Sequence, residues 1–426
     1  MDNIEGGYIL NSNDVVEKNK VKFQINIETH LIIIDFIDEV TIIDDSNTIN
    51  HLFLLDSCGN KLTILDCHIE KRSNRKVEIL FSTIVLGKHE KNPDELKPSK
   101  VHFGIGSDPI PLLDIHLPKK AVELDNITFE FQDSKDNSYI CNLIITPTKG
   151  SLLLADLETA FFNIMDILFL CFGFYPYIDN ERIIFDGEII RINRLQLSKY
   201  HKGSSFAHWS TILASGSNID LEKAYPKFCS MKDKNGIIIE ALTNAIHSSD
   251  LIIDFTLSIL IQCVEGYIRQ WHGEKKFPDT IKKTIQKKFI GALDDINFIE
   301  LEDITEEYPT KEAIINSING LLGHLNSPSL GDCLKQAYNL NDNTKLILAQ
   351  EIENQSYDDF ISKSKATRNQ FSHMSPKKRR FDNINEIIIA KEKYVLLLRL
   401  MMLHDLGINI NGNLKGYINK INKRRE

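Results

Sequence analysis

Much of what would identify a secreted, membrane-spanning or metal-built protein is missing from this 426-residue chain. The N-terminus, MDNIEGGYIL, has no basic stretch ahead of an apolar one, so it does not read as a signal peptide. The most apolar segment, 151–177, contains Asp156, Glu158 and Asp166 and is interrupted by Gly173 and Pro176. Carboxylates are costly near a bilayer centre, so this segment predicts a buried helix rather than a membrane span. The seven cysteines (58, 67, 141, 171, 229, 263 and 333) are odd in number, scattered, and form no C-x-x-C pair. Such a set fits reduced thiols in a cytoplasm and argues against a disulfide framework or a structural zinc. Cys58, Cys67 and His68 come nearest to a metal cluster, but no fourth ligand stands at finger spacing, and they read as ordinary strand and core residues. No Gly-rich phosphate loop and no internal repeat is present. No metal, cofactor or membrane partner is expected.

What remains is an ordinary globular composition, 42% hydrophobic and 26% charged, in a chain long enough for two or three domains. The net charge of −9 does not advertise nucleic-acid binding, but it is unevenly placed. Through Ser230 there are 23 Lys/Arg against 33 Asp/Glu; from Met231 onward there are 27 against 26. Positive charge in the second part is bunched at KKTIQKK (282–288), PKKRR (376–380) and KRR (423–425). Local clustering, not the total, makes a field that attracts phosphate; the 282–288 run also fits a plain solvated helix face.

The first half reads as strands. VKFQINIETHLIIIDF, KLTILDCHIE, KVEILFSTIVLG, ITFEFQ and YICNLIITPT are rich in β-branched and aromatic residues. Turn signals separate them at Asp45-Ser46-Asn47, Cys58-Gly59-Asn60, Ser73-Asn74, Asn92-Pro93-Asp94 and Asp136-Asn137. This spacing predicts an antiparallel sandwich or barrel, followed by a helix over about 151–172 and further strands such as ERIIFDGEIIRIN. QLSKYHKGSSFAHW reads as a loop packing on the sheet. Near Asn235-Gly236 the spacing turns helical. Helices are expected from about Leu251 to Trp271, with Ile252, Phe255, Ile259 and Cys263 on its apolar face, and over 311–325, 329–339, 344–354, 357–372 and 384–406, with Gly407 as the last stop. The boundary places a β-rich domain at 1–234 and a helical domain at 235–426, an α+β chain overall.

The segment that carries chemistry is SKATRNQFSHMSPKKRR, 364–380, in which Arg368, Asn369 and His373 form R-N-x-x-x-H. Cleaving RNA without a metal needs a group that moves protons, a fixed cation for the charge growing on phosphorus, and something that holds geometry. Histidine, guanidinium and amide fit those tasks in turn. The spacing alone is weak, since Arg194/His201 and Arg399/His404 repeat it. Arg399 and His404, however, lie in the apolar LLLRLMMLHDL, and Arg194 is followed by Leu195 in strand-like sequence. Only Arg368 has an amide beside it and polar surroundings. On an ideal helix Arg368 and His373 stand about 140° apart, so the Ser375-Pro376 stop is expected to end the helix and let both face one cleft.

RNQFSHM, followed by LLLRLMMLHDLGI and preceded by LSILIQCVEGYIRQWHG, resembles the HEPN domain of ApeA-type abortive-infection proteins, which act in bacterial anti-phage defence. The family pattern is R-x4-6-H with a polar residue after the Arg; here four residues intervene and Asn369 holds the polar place. The resemblance covers about 235–410, and the strand-rich first half resembles the ApeA N-terminal domain. It implies an all-α HEPN bundle, a homodimer that brings two motifs into one cleft, and cleavage of RNA, often tRNA, to a 2′,3′-cyclic phosphate and a 5′-hydroxyl. His373 would be the general acid/base, Arg368 the phosphate clamp and Asn369 the orienting group. Lys377, Lys378, Arg379 and Arg380 would draw in the RNA backbone. Glu265 matches an acidic position of related HEPN domains and shares a stripe with Gln262 and Arg269. It either faces the cleft to orient His373 or Arg368, or belongs to a surface stripe with a Glu–Arg pair four apart. The first half would sense a trigger, a phage product among the candidates. The competing reading is a HEPN binding module without nuclease activity. The apolar residues of 384–406 run nearly all round the helix, which predicts a face left over for a second copy.

Overall fold

A computed structural model describes residues 3–10, 18–26, 29, 31–36, 48–56, 58–73, 76–88, 90, 92–106, 117–118, 120, 121–124, 126–133, 140–185, 187–194, 219–247, 253–273, 278–293, 315–317, 327–349, 357–373, 380–381, 383–410 and 414. The chain divides into two compact units, Met1–Ser230 with Asp405–Asn413, and Met231–His404 with Leu414–Glu426. The architecture is α+β: an antiparallel β-region first, then a helical region.

In the first unit β1 (Asn3–Leu10), β2 (Lys18–Asn26), β3 (Leu31–Phe36), β4 (Thr48–Asp56), β5 (Lys61–Arg72) and β6 (Lys76–Leu80) pair in the order β4-β1-β2-β3-β6-β5, and β4 also pairs with β5. The ladder therefore closes on itself as a six-stranded barrel, which removes its edges. Alternation does the filling: Phe23, Ile25, Ile32, Ile34, Leu52, Leu54, Leu62, Ile64, Val77 and Ile79 form one buried cluster. The Cys58-Gly59-Asn60 signal is the β4–β5 turn. The Asp56 carboxylate accepts from the backbone N–H of Cys58 (2.8 Å) and Asn60 (2.7 Å), and Gly59 takes φ 86°.

From β5 the ladder passes through β7 (Thr83–Leu86) into an open sheet of β13 (Glu188–Arg194), β12 (Tyr177–Phe185), β8 (Lys100–Gly106), β11 (Ile140–Pro147), β10 (Ile127–Asp133) and β9 (Val122–Leu124). Strand β5 serves both parts. Leu62 and Ile64 pair with Leu86 and Ile84, while His68 and Ile69 pair with Leu80 and Ile79. Asp66 between them has φ 52°, a left-handed residue at the point of change.

The apolar segment near 151–177 is helix α1 (Leu154–Phe172), closed by Gly173 at φ 77°, whose N–H donates to the Phe169 carbonyl. It is buried almost all round, with Phe161 stacked on Phe103 of β8 at 3.7 Å between centroids. Of the carboxylates that argued against a span, buried Asp166 accepts from the Tyr175 hydroxyl at 2.7 Å and Asp156 is exposed. Among the described residues no helix is long and apolar enough to cross a membrane.

Helix α2 (Leu221–His247) begins fourteen residues before the helical pattern becomes legible in the sequence, and Asn235 (φ −130°) kinks it. The second unit continues with α3 (Ile253–Trp271), α4 (Asp279–Leu293), α5 (Leu330–Leu340), α6 (Asp342–Ala349), α7 (Tyr357–His373) and α8 (Ile384–Leu406). Of the expected helix over 311–325 only residues 315–317 are described, and they are helical. Two expectations about faces are corrected. On α3 the stripe through Phe255, Ile259 and Cys263 is the less buried one, with Phe255 47% exposed. Leu257, Leu260, Ile261, Val264 and Ile268 form the core face, packed on α5 and α7. And α8 keeps little spare apolar surface: Ile384 on its first turn is exposed, but Lys393 to Leu403 are buried without exception, Arg399 completely. The chain itself covers the helix that was expected to need a second copy.

Candidate functional site

Helices α3 and α7 pack together and bring Glu265 and Arg368, 103 residues apart, into contact. Glu265 lies on the buried side of α3 and is 3% exposed. Arg368 closes on it as a fork: Nε donates to Oε2 at 3.2 Å, and Nη2 to Oε1 and Oε2 at 3.0 Å each. Nη1 donates to Oδ1 of the neighbouring Asn369 at 2.9 Å. From the other side Arg269, one turn on from Glu265, donates through Nη2 to Oε1 at 2.6 Å. A single buried carboxylate thus holds two guanidinium groups. A buried carboxylate without such partners would be strongly disfavoured.

Arg269 is itself anchored, since its Nε donates to the Pro328 carbonyl at 3.0 Å. Pro328 precedes Ser329, the N-cap of α5, where Ser329 and Asp332 form a reciprocal capping box. Cys333 lies one turn into α5, fully buried and close to Glu265 and Arg269; burial pushes its thiol up to about 11. The polar cluster is therefore fixed from three helices, by capping, an ion-pair fork and a backbone acceptor.

Helix α7 contains the whole R-N-x-x-x-H motif, while the expected Ser375-Pro376 stop and the side chain of His373 lie outside the described residues. Below the motif its core side is polar in places and satisfied. Buried Ser364 donates to the Phe360 carbonyl at 2.7 Å and accepts from the Tyr394 hydroxyl of α8 at 2.6 Å. Beyond it the Phe381 N–H donates to the Thr367 hydroxyl at 3.3 Å, and Arg380 Nη1 donates to Gln370 Oε1 at 2.9 Å. Lys377, Lys378 and Arg379 lie outside the described residues, as do His201 and the QLSKYHKGSSFAHW loop. Of the decoy pairs, Arg399 is a buried core residue and His404 is exposed on the last turn of α8, so they point to different environments. Gln370 and Pro328 carry contacts the motif did not suggest. Gln370 was visible only as a neighbour of Asn369, and a backbone carbonyl leaves no trace in a sequence.

Among the described residues no group of three or more His, Cys, Asp or Glu is arranged to hold a metal ion. The cluster is instead cation-rich around one carboxylate, which suits an anionic ligand better than a cation.

Residues 258–411 match the family described as Apea-like HEPN, so the helical region carries an Apea-like HEPN domain. The antiparallel β-region ahead of it is consistent with an ApeA-type arrangement. Neither the curated proteins nor the solved structures compared with the chain give a match.

Proposed function

We propose that the Apea-like HEPN domain of this chain is a metal-independent ribonuclease of anti-phage defence, with RNA, tRNA among the candidates, as its substrate. The observation that carries this reading is the Glu265 fork on Arg368. It holds a guanidinium rigidly beside Asn369, on the helix that ends with His373. A pre-set cation costs no reorganisation when charge grows on a phosphate, which is where electrostatic stabilisation acts best. Asn369 occupies Nη1 from the second side and so limits rotation of the group.

In this reading His373 takes the proton from a 2′-hydroxyl as that oxygen bonds to phosphorus. Arg368 stabilises the added negative charge on the phosphoryl oxygens. The 5′-oxygen leaves with a proton from a second acid, giving a 2′,3′-cyclic phosphate and a 5′-hydroxyl. The same imidazole cannot be base and acid in one step, so a second copy of the motif, in a homodimer, supplies the other proton. Lys377, Lys378, Arg379 and Arg380 would hold the backbone of the RNA, and the β-region would respond to a phage-encoded trigger.

A second reading is favoured by one observation. Three nitrogens of Arg368 are already engaged by Glu265 and Asn369, as in a purely structural ion pair, which fits a HEPN binding module without nuclease activity. The test is cleavage of total RNA by the purified chain in excess EDTA, with sequencing of the ends. We expect cyclic-phosphate ends from the wild type and a loss of about 10²–10⁴-fold for Arg368→Ala and for His373→Ala. Activity that disappears on chelation and returns with Mg²⁺ refutes the mechanism; no cleavage in any condition supports the binding module.

A further inference from the structure

The helix α4 (Asp279–Leu293) carries the KKTIQKK run, and none of its described residues is buried. Ile281 is 46% and Phe289 55% exposed, and Ile285 between them is partly buried. At about 100° per residue, positions four apart keep these three side chains within an arc of about 80°, with Ala292 inside it. The lysines are placed just as regularly. Lys288 falls about 20° beyond the Ile281 edge of that arc and Lys282 about 20° beyond the Phe289 edge, while Lys283 and Lys287 lie on the far side. An exposed apolar stripe is thus bordered on both edges by cations. The helix holds four lysines against one carboxylate, Asp279, in a chain whose net charge is −9.

A solvated face accounts for the lysines but leaves Ile281 and Phe289 in water. RNA leaves them there too. A second copy of the helix could cover the stripe, but an antiparallel or parallel pairing would set its lysine edges against lysine edges, with like charges opposed. An anionic lipid surface accommodates both features. The stripe enters the boundary between headgroups and acyl chains, and the flanking lysines extend their stems upward to the phosphates. We propose that α4 lies in the plane of an anionic bilayer surface and gives this protein peripheral, salt-sensitive membrane binding. The expectation of no membrane partner rested on the lack of a spanning segment, which this mode does not need. A helix of about 22 Å with three large apolar anchors gives reversible attachment rather than insertion.

The experiment is flotation of the purified full chain with vesicles of phosphatidylcholine alone or with one third phosphatidylglycerol. The protein should float with the anionic vesicles and stay behind with the neutral ones, and salt should release it. Lys282→Gln and Lys288→Gln should each weaken partitioning about fivefold. Phe289→Asp, at an exposed position, should abolish it with the circular dichroism spectrum unchanged. Any of three results overturns the proposal: no flotation with anionic vesicles at low salt, flotation indifferent to Phe289→Asp, or lysine variants that float normally but lose retention of a single-stranded RNA oligonucleotide. A wild-type dimer that Phe289→Asp converts to monomer without affecting flotation also overturns it, in favour of a second copy.

Discussion

At the scale of single residues, the second unit turns on how one carboxylate is shared. Glu265 is the shared partner of Arg368 and Arg269 while almost fully removed from water. Removing it leaves two cations without their counter-charge, whereas removing Arg368 leaves Glu265 with Arg269. Glu265→Gln should therefore cost about 3–5 kcal/mol of unfolding free energy and Arg368→Ala distinctly less, the reverse of their order in the proposed RNA cleavage, in which Arg368 would act directly. Denaturant unfolding beside cleavage rates checks this; equal stability losses would mean that Arg269 does not hold the carboxylate by itself. The buried thiols give a pH signature. Cys67 is pushed up to about 12 and Cys333 to about 11, both chiefly by burial. Above the ordinary thiol range the unfolded chain ionises them and the folded chain does not. Their contribution is intact below about pH 9 and is lost as pH rises toward the folded values, by about 1.4 kcal/mol per pH unit for each thiol. Cys333→Ala should lower stability at neutral pH yet make its decline between pH 9 and 11 shallower. A parallel decline in both proteins would show that the thiol is not shielded.

At the scale of elements, close approach decides more than propensity. Gly106 ends β8 with the ring of Tyr177 against it: a Cβ built there would stand 2.2 Å from the ring. Tyr177 is the paired residue on β12 and is itself buried, which leaves its ring little room to swing aside. Gly106→Ala should destabilise the β-region by about 1–3 kcal/mol, read as a lowered melting temperature of the full chain, while Gly266→Ala, exposed on α3 with open space around the added Cβ, should not. Similar destabilisation at the two positions would contradict the crowding at Gly106. The helical elements show the converse. Helix α5 begins at Ser329 because its own side chain and that of Asp332 satisfy the first N–H groups, and α3 chooses between two apolar stripes by what packs on it.

At the scale of the whole molecule, the proposed cleavage needs two proton-moving groups and each chain offers one motif. The covering of Lys393–Leu403 within the chain means that a homodimer would pair through another surface of the HEPN domain. If two motifs share one cleft, dimers mixing wild type with His373→Ala should fall well below half the wild-type rate. Half the rate, or full activity from a protein that light scattering shows to be a monomer, would mean that each motif works alone.

The sequence by itself determined whatever depends on neighbours along the chain. Alternation in LIIIDF and KVEIL made strands with buried isoleucines. Gly59, Gly173 and Gly407 took positive φ at turns and helix ends. The helix over Tyr357–His373 was legible because its spacing is a local signal. The R-N-x-x-x-H motif and the apolar α8 were readable for the same reason. What only the tertiary structure decided depends on residues that meet across long separations. The closing of β4 on β5, the early start of α2 in a polar sequence, the attachment of Asp405–Asn413 to the first unit, and the burial of Arg399 leave no periodic signal. Glu265 is the clearest case. In the sequence it stands four residues from Arg269 and fits a surface pair, yet the packing of α3 on α7 makes it the buried counter-charge of Arg368. A helix with two usable faces buries the one its partners complete, and those partners are a hundred residues away.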